Sequence, residues 1–135
     1  MSTLGRIRVL ILEDNALDAE LMVRELQRAG LEVQAERVET EQDFAARLTP
    51  DLDLILSDNA LPLFGCREAL QLVRARGLDV PFMVVSGAFR EDIAVEAAHA
   101  GADGYLHKDS LEQLAQAVLQ ALETRRLRSA TRREE

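Results

Sequence analysis

Four stretches of this chain end in polar residues that could carry out chemistry together. The acidic pair Glu13 and Asp14 follows the apolar run RVLIL, and Asp58 follows LILS. Ser86 follows FMVV, and Lys108 follows GYLH. The carboxyl ends of parallel strands share one edge of a sheet, so residues far apart in sequence meet in one crevice there. We expect three carboxylates, a hydroxyl and an ammonium to converge at that edge.

Such a cluster of acids needs a neutralising partner. Two carboxylates within ~4 Å repel each other by roughly 4 kcal/mol at an effective dielectric constant near 20. A cation or bound protons must therefore stabilise the cluster.

The elements that must position these side chains alternate between strand and helix patterns, which predicts an α/β fold. Helix-period segments separate five apolar runs, at 9–12, 31–38, 54–56, 82–85 and 104–107. Such alternation implies a parallel sheet covered on both faces. Right-handed crossovers favour a doubly wound (βα)₅ sheet of flavodoxin-like type, with strand order 2-1-3-4-5. In that order Asp14 and Asp58 leave the two strands that flank the switch point, where such folds bind ligands.

Helix boundaries follow from capping residues and breakers. A side chain that accepts a hydrogen bond from the N–H two or three residues later begins a helix. Glycine after the last helical residue ends one. The predicted capping pairs are Asn15 with Asp18, Thr40 with Asp43, and Ser110 with Gln113. The predicted stops are Gly30, Pro50, Gly77 and Gly101, the last ending a helix over 91–100.

Composition limits the class of protein. The chain has 135 residues and a net charge of −8. Residues 1–122 carry eleven Lys and Arg against 21 Asp and Glu, whereas 123–135 carry five Arg against three Glu. An acidic body argues against a nucleic-acid partner, since phosphate binding requires clustered Lys and Arg. The single cysteine, Cys66, suits a reducing compartment, and no apolar run approaches membrane-spanning length. These features predict a cytoplasmic protein with no membrane partner.

Short motifs at fitting intervals identify a family. They are ILED at 11–14, LILSD at 54–58, LP at 61–62, VVSGA at 84–88 and AGADGYLHK at 100–108. Any one of them is a weak signal, but together they resemble a response-regulator receiver domain over residues 6–122. The resemblance implies a two-component phosphorelay, with a histidine kinase or phosphotransfer protein as donor and a signalling module rather than an enzyme as acceptor.

The resemblance assigns a role to each site residue. It implies that Asp58 is the phosphoacceptor. It also implies that Mg²⁺ is bound by Asp14, Asp58 and the backbone carbonyl of Ala60, with Glu13 completing the acidic pocket.

Three further roles follow from the same resemblance. Lys108 would pair with a phosphoryl oxygen, and Ser86 would donate a hydrogen bond to another. Tyr105 would follow Ser86 between outward and inward rotamers, although a boundary aromatic is nearly as good an explanation. His107 should point away from the site, because strand side chains alternate between the two faces.

The chain departs from the family pattern at several positions. Asp109 stands where the family commonly has a proline after a cis peptide bond, and Ser86 stands where threonine is common. Ala60 and Ala88, each two residues beyond a site residue, carry no group that could hold an attacking water.

Rival functions fit less well. A phosphatase with an aspartyl-phosphate intermediate needs a second Asp two residues after the nucleophile, where this chain has Ala60. An FMN carrier needs phosphate-binding residues after the first strand, where Glu13 and Asp14 would repel the phosphate. A degenerate receiver that only binds partners would not need the three acids and Lys108.

The sequence leaves the output open. We expect a receiver domain at 1–122 and a charged helical extension or truncated linker at 123–135. A stand-alone receiver and a piece of a larger regulator are both consistent with this ending. The downstream partner, the cognate kinase and the oligomeric state do not follow from the residues.

Overall fold

Five parallel strands form the centre of the molecule. The computed structural model describes residues 6–58, 65–87, 95 and 97–134. The strands are β1 (Arg6–Leu12), β2 (Glu32–Val38), β3 (Leu54–Ser57), β4 (Phe82–Ser86) and β5 (Gly104–His107). They pair in parallel in the order β2-β1-β3-β4-β5, so the predicted doubly wound topology is confirmed.

Helices cover both faces of this sheet. The described helices are α1 (Ala16–Arg28), α2 (Glu41–Ala46), α3 (Cys66–Ala75) and a C-terminal helix (Leu114–Glu134). Residues 95 and 97–99 are helical and lie within the predicted helix at 91–100, whose other positions up to 96 lie outside the described residues. Gly30, Gly77 and Gly101 have φ values of 97°, 74° and 105°, the left-handed conformation that glycine adopts most readily.

Two apolar cores sandwich the sheet, and alternate strand residues supply them. On one face Leu10 and Leu12 pack with Phe44, Leu70 and other residues of α2 and α3. On the other face Val9 and Ile11 pack in a cluster with residues of α1 and the C-terminal helix. Burial on both faces explains why the central strands read as continuous apolar runs.

The strand register aligns the carboxyl ends of the strands. Leu12 at the end of β1 is level with Val38 of β2 and with Ser57 of β3. At the other side of the sheet Ser86 is level with His107. The residues that follow β1, β3 and β5 therefore begin at one edge, as the sequence predicted.

Two of the three predicted helix caps are confirmed. Asn15 Oδ1 accepts a hydrogen bond from the Asp18 N–H at 3.1 Å, and Thr40 Oγ1 accepts one from the Asp43 N–H at 3.1 Å. The helix after Thr40 ends at Ala46, before the predicted stop at Pro50.

The third predicted cap, Ser110 with Gln113, is wrong. A 3₁₀ turn occupies Lys108–Gln113, Ser110 lies within it with non-helical φ and ψ of −115° and 34°, and the regular helix begins at Leu114. The turn is capped instead by His107, whose Nδ1 accepts a hydrogen bond from the Asp109 N–H at 2.9 Å. The capping acceptor therefore comes from the end of β5 rather than from the serine three residues on.

The C-terminal helix continues past the predicted domain boundary at residue 122. Its Leu114 and Val118 are buried against the sheet. Further along, Arg125 donates a hydrogen bond to the Leu52 carbonyl at 3.0 Å and pairs with Asp79 at 3.3 Å. These contacts fix the helix to the loops that precede β3 and β4.

Among the described residues, no helix has both the length and the apolarity that crossing a membrane requires. The cytoplasmic location stays a prediction.

Candidate functional site

Backbone hydrogen bonds hold two of the acids just beyond the strand ends. The Glu13 N–H donates to the Val38 carbonyl at 3.0 Å, and the Asp58 N–H donates to the Leu12 carbonyl at 2.9 Å. Each bond continues the strand pairing by one residue, so neither acid lies on a free loop. Arg37 adds a hydrogen bond to the Glu13 carbonyl at 3.1 Å.

The predicted site residues differ sharply in burial. Glu13 is 0% exposed, Asp58 is 5% exposed and Ser86 is 1% exposed. Asp14 is exposed, so it forms the solvent side of the cluster. Burying ionisable groups in this way is costly unless opposite charges or cations accompany them.

Lys108 supplies the opposite charge. Its ammonium lies 2.5 Å from Glu13 Oε1, 2.7 Å from Asp18 Oδ2 and 3.1 Å from Asp58 Oδ2. A lysine ammonium has three N–H donors, and three carboxylates take them. The predicted convergence of Lys108 with Glu13 and Asp58 is therefore present in the structure.

The electrostatics of the pocket favour a protonated Glu13 and a charged Lys108. Burial first, and then the approach of Asp58, raises the pKa of Glu13 to about 8 against the opposing effect of Lys108. Burial alone would lower the pKa of Lys108, but its hydrogen bonds to Asp18, Glu13 and Asp58 outweigh that effect and raise it. Protonation of Glu13 relieves part of the repulsion between neighbouring carboxylates.

The acids also have the geometry of a cation site. Carboxylate oxygens of Glu13, Asp14 and Asp58 all lie within 4.8 Å of one another. In addition, Glu13 Oε2 is buried and has no hydrogen-bond partner among the described residues. An orphaned buried carboxylate oxygen next to two further carboxylates fits a hard cation such as Mg²⁺, which prefers oxygen ligands.

Asp18 is the site residue that sequence reasoning missed. The sequence assigned it only to the cap of α1, a role that its backbone N–H does fulfil. Its carboxylate, which is 30% exposed, turns to Lys108 instead of to solvent. One signal could have found it: Asp18 lies one helical turn after Asp14, so both can face the same crevice.

The remaining predicted residues lie at the same edge or beyond what the structure describes. Ser86 ends β4, the strand next to the one that Asp58 follows. A Cβ added at the following Gly87 would make van der Waals contact with Lys108 Cδ at 3.7 Å, so the end of β4 is near the lysine. Tyr105 is half-buried on β5 and packs against the core face that contains Val84. Ala60 lies outside the described residues.

The segment after β5 keeps an ordinary backbone despite the missing proline. The structure contains no cis peptide bond in its described residues, so the Lys108–Asp109 bond is trans. The His107 ring is turned to the Asp109 N–H, so its interaction is with the turn that follows β5 rather than with the acids.

The fold and the acidic crevice agree with a comparison of the chain with protein-family models. The model for the response regulator receiver domain matches residues 9–119. The chain therefore belongs to the receiver-domain family of two-component response regulators.

Individual relatives agree with that assignment. The transcriptional regulatory protein SphR of Synechococcus elongatus, named for alkaline phosphatase synthesis, is 28% identical over 75% of this chain and 42% of its own length. The response regulator protein PmrA of Pseudomonas aeruginosa is 32% identical over 89% of this chain and 53% of its own length. The signal receiver domain of NarL from Mycobacterium tuberculosis superposes with a TM-score of 0.77 at 25% identity, covering 88% of this chain and 98% of that domain.

These relatives correct one expectation from composition. The acidic body predicted no nucleic-acid partner, but SphR is named a transcriptional regulatory protein. The exclusion was wrong because net charge describes the surface of this domain alone, whereas the chain spans about half the length of the curated relatives it matches.

Proposed function

We propose that this domain is the phosphoacceptor of a two-component phosphorelay and that Asp58 receives the phosphoryl group. One observation carries the proposal: Asp58 is buried at the carboxyl end of β3 with its carboxylate 3.1 Å from Lys108 and within 4.8 Å of the carboxylates of Glu13 and Asp14. An aspartate with only a structural role would not need the ammonium of Lys108 and two further carboxylates at such distances.

The donor is a phosphohistidine on a histidine kinase or phosphotransfer protein. A carboxylate oxygen of Asp58 forms a bond to phosphorus while the phosphorus–nitrogen bond breaks, and the electron pair of that bond stays on the imidazole. The product is an aspartyl phosphate. Little covalent chemistry is left to the protein, so positioning and charge stabilisation determine the rate.

Glu13, Asp14 and Asp58 would hold Mg²⁺ at this site, with the carbonyl of Ala60 as a further ligand. When bound, the ion supplies positive charge that offsets the carboxylates and the transferring phosphoryl oxygens. The orphaned Oε2 of Glu13 supports this assignment.

Lys108 and Ser86 recognise the phosphoryl group once it is attached. Lys108 already approaches Asp58 and pairs with a phosphoryl oxygen as a point charge. Ser86 donates its hydroxyl to another oxygen, and Tyr105 responds by moving between outward and inward rotamers. The described packing of Tyr105 on the sheet face of Val84 links that movement to the core.

The output of this switch is transcription. SphR and a probable transcriptional regulatory protein of Picosynechococcus are among the relatives, and both are longer than the matched region. We propose that phosphorylation changes the contacts of the domain with a DNA-binding segment or partner, and that the domain itself acts as a signalling module.

Intact-mass measurement tests the phosphoacceptor directly. Incubation with Mg²⁺ and a small phosphodonor should add one phosphoryl group to the native protein and none to Asp58→Asn. Asp53→Asn is a matched control, because Asp53 lies at the opposite end of β3 and accepts from the Arg8 N–H. A phosphoryl group that persists in Asp58→Asn, at Ser57 or Ser86 for example, would exclude this mechanism.

A further inference from the structure

Asp18 and Asp58 share the same ammonium. Lys108 Nζ is 2.7 Å from Asp18 Oδ2 and 3.1 Å from Asp58 Oδ2. The contact with Glu13 Oε1, at 2.5 Å, takes the remaining donor. Because an ammonium has three N–H groups, a fourth strong acceptor can enter only if one of these carboxylates gives up its hydrogen bond.

The Asp18 contact is the one that phosphorylation would displace. Glu13 and Asp58 belong to the set of acids within 4.8 Å of one another, whereas Asp18 lies outside that set. Asp18 is also the most exposed of the three partners, with 30% of its side chain exposed against 0% for Glu13 and 7% for Asp58. Its carboxylate can therefore return to water at less cost than either buried acid.

Asp18 is held rigidly enough to compete. It lies in the first turn of α1, and Asn15 Oδ1 fixes its backbone N–H at 3.1 Å. The side chain of Lys108 is only 17% exposed, so its stem is largely enclosed as well. Neither partner therefore needs to be ordered anew for the pair to form.

We propose that Asp18 is a positioning residue that occupies one N–H of Lys108 for which the incoming phosphoryl group must compete, so that it slows phosphorylation of Asp58 and weakens the hydrogen bonding of Lys108 to the product. Asp18 touches neither the reacting oxygen nor phosphorus in this mechanism and acts only through Lys108. The inference rests on the proposed phosphoacceptor function of Asp58 and extends it.

A donor-concentration series measures this competition. With saturating Mg²⁺ and a small phosphodonor, Asp18→Asn should be phosphorylated about threefold to fivefold faster than the native protein. This is the gain expected for loss of one partly exposed ion pair. The gain should appear in the second-order rate at low donor concentration. Asp18→Glu, which keeps the carboxylate, should return most of the native rate.

Glu20→Gln is the matched control for charge. It makes the same change in net charge on the same helix, but Glu20 pairs with Arg24 at 2.8 Å, whereas Lys108 pairs with Glu13, Asp18 and Asp58. A gain in Glu20→Gln equal to that in Asp18→Asn would overturn the proposal, because general repulsion of the anionic donor would then explain both.

A double-mutant cycle with Lys108→Met tests the route of the effect. The gain from Asp18→Asn should vanish when Lys108 is absent, and an undiminished gain would refute competition for the ammonium. If phosphorylation of both Lys108→Met proteins is too slow to follow, the affinity for beryllium fluoride, a tetrahedral phosphoryl mimic, decides instead. Asp18→Asn should bind it about threefold more tightly than the native protein, and equal affinities would overturn the proposal.

The two proposals fail in different ways. If the native protein takes no phosphoryl group on Asp58, the proposed function is wrong. If the native protein is phosphorylated on Asp58 and Asp18→Asn is no faster, only the role of Asp18 is wrong.

Discussion

Glu13 and Lys108, 95 positions apart in sequence, approach within 2.5 Å at the carboxyl edge of the sheet. This is the shortest of the three contacts recorded between Lys108 and a carboxylate. Only one oxygen of Glu13 is used in it, since Oε2 is buried without a hydrogen-bond partner among the described residues. Glu13 therefore has one oxygen paired with Lys108 and a second oxygen left for a proton or, in the proposed function, for a cation.

The raised pKa of Glu13 predicts a pH dependence of stability. The pKa of Glu13 is about 8 in the folded protein, against an ordinary pKa of 4.5 for a glutamate. The folded state thus binds more protons than the unfolded state between these values, and stability falls as the pH rises through that window. The limiting slope for one proton is about 1.4 kcal/mol per pH unit.

Urea unfolding between pH 5 and pH 9 measures this effect. Other groups also titrate, so the difference between the native protein and Glu13→Gln isolates the contribution of one carboxyl. The free energy of unfolding of the native protein should fall relative to that of Glu13→Gln as the pH rises. The raised pKa of Lys108 does not interfere, because its ordinary value of 10.5 already lies above this range. A difference that stays constant with pH would contradict a protonated Glu13.

Cation binding should depend on Asp14. The exposed carboxylate of Asp14 completes the cluster on its solvent side, so Asp14→Asn should lower Mg²⁺ affinity by about tenfold or more, as for loss of one carboxylate ligand. Calorimetric titration of both proteins is the measurement. Asp43→Asn, which removes an exposed acid in α2, should bind as the native protein does, and equal binding by all three would refute the acidic site.

Lys108 should compete with the cation. Its ammonium occupies oxygens of Glu13 and Asp58, two residues assigned to the metal. Removing the lysine charge also favours protonation of Glu13, which competes with the cation. The cation should gain more, because the lysine repels a divalent ion twice as strongly as it repels a proton. We expect Lys108→Met to bind Mg²⁺ about tenfold more tightly at pH 8.5. The free energy of that change is a modest part of the unscreened Coulomb repulsion between the ammonium and the ion. Weaker binding in titration of this variant would mean that Lys108 organises the acids rather than displacing the ion.

The phosphorylated form should be long-lived. Hydrolysis needs a water aligned with the bond to Asp58, and the methyl groups of Ala60 and Ala88 cannot orient one by hydrogen bonding. Both positions lie outside the described residues, so this prediction rests on their side-chain chemistry. A poorly oriented water slows hydrolysis more than easier access of water to the site speeds it.

Decay of the phosphoryl group checks this expectation. The variant Ala60→Asn with Ala88→Glu carries polar side chains able to hold water, and it should lose the phosphoryl group faster than the native protein. Native decay as fast as or faster than that of the variant would show that access, and not orientation, limits hydrolysis.

The sequence by itself determined the fold and most of the site. Continuous apolar runs specify buried parallel strands, and the acids and lysine that follow them meet because those strands end at one edge. Asn15 and Thr40 were identified as caps because capping is local, between residues two or three apart. The ligand role of Ala60 and the domain boundary at residue 122 stay predictions.

Only the tertiary structure decided the remaining contacts. Ser110 fits the local pattern of a cap, but the geometry at the end of β5 gives that role to His107. Asp18 fits the local pattern of a capped first turn. Its spacing from Asp14 indicates that it can face the crevice, but only the fold brings its carboxylate to a lysine 90 positions away. Side-chain direction at the end of an element depends on which charges the rest of the fold brings there. The ammonium of Lys108 attracts the carboxylate of Asp18 because the assembled sheet brings the two within hydrogen-bonding distance.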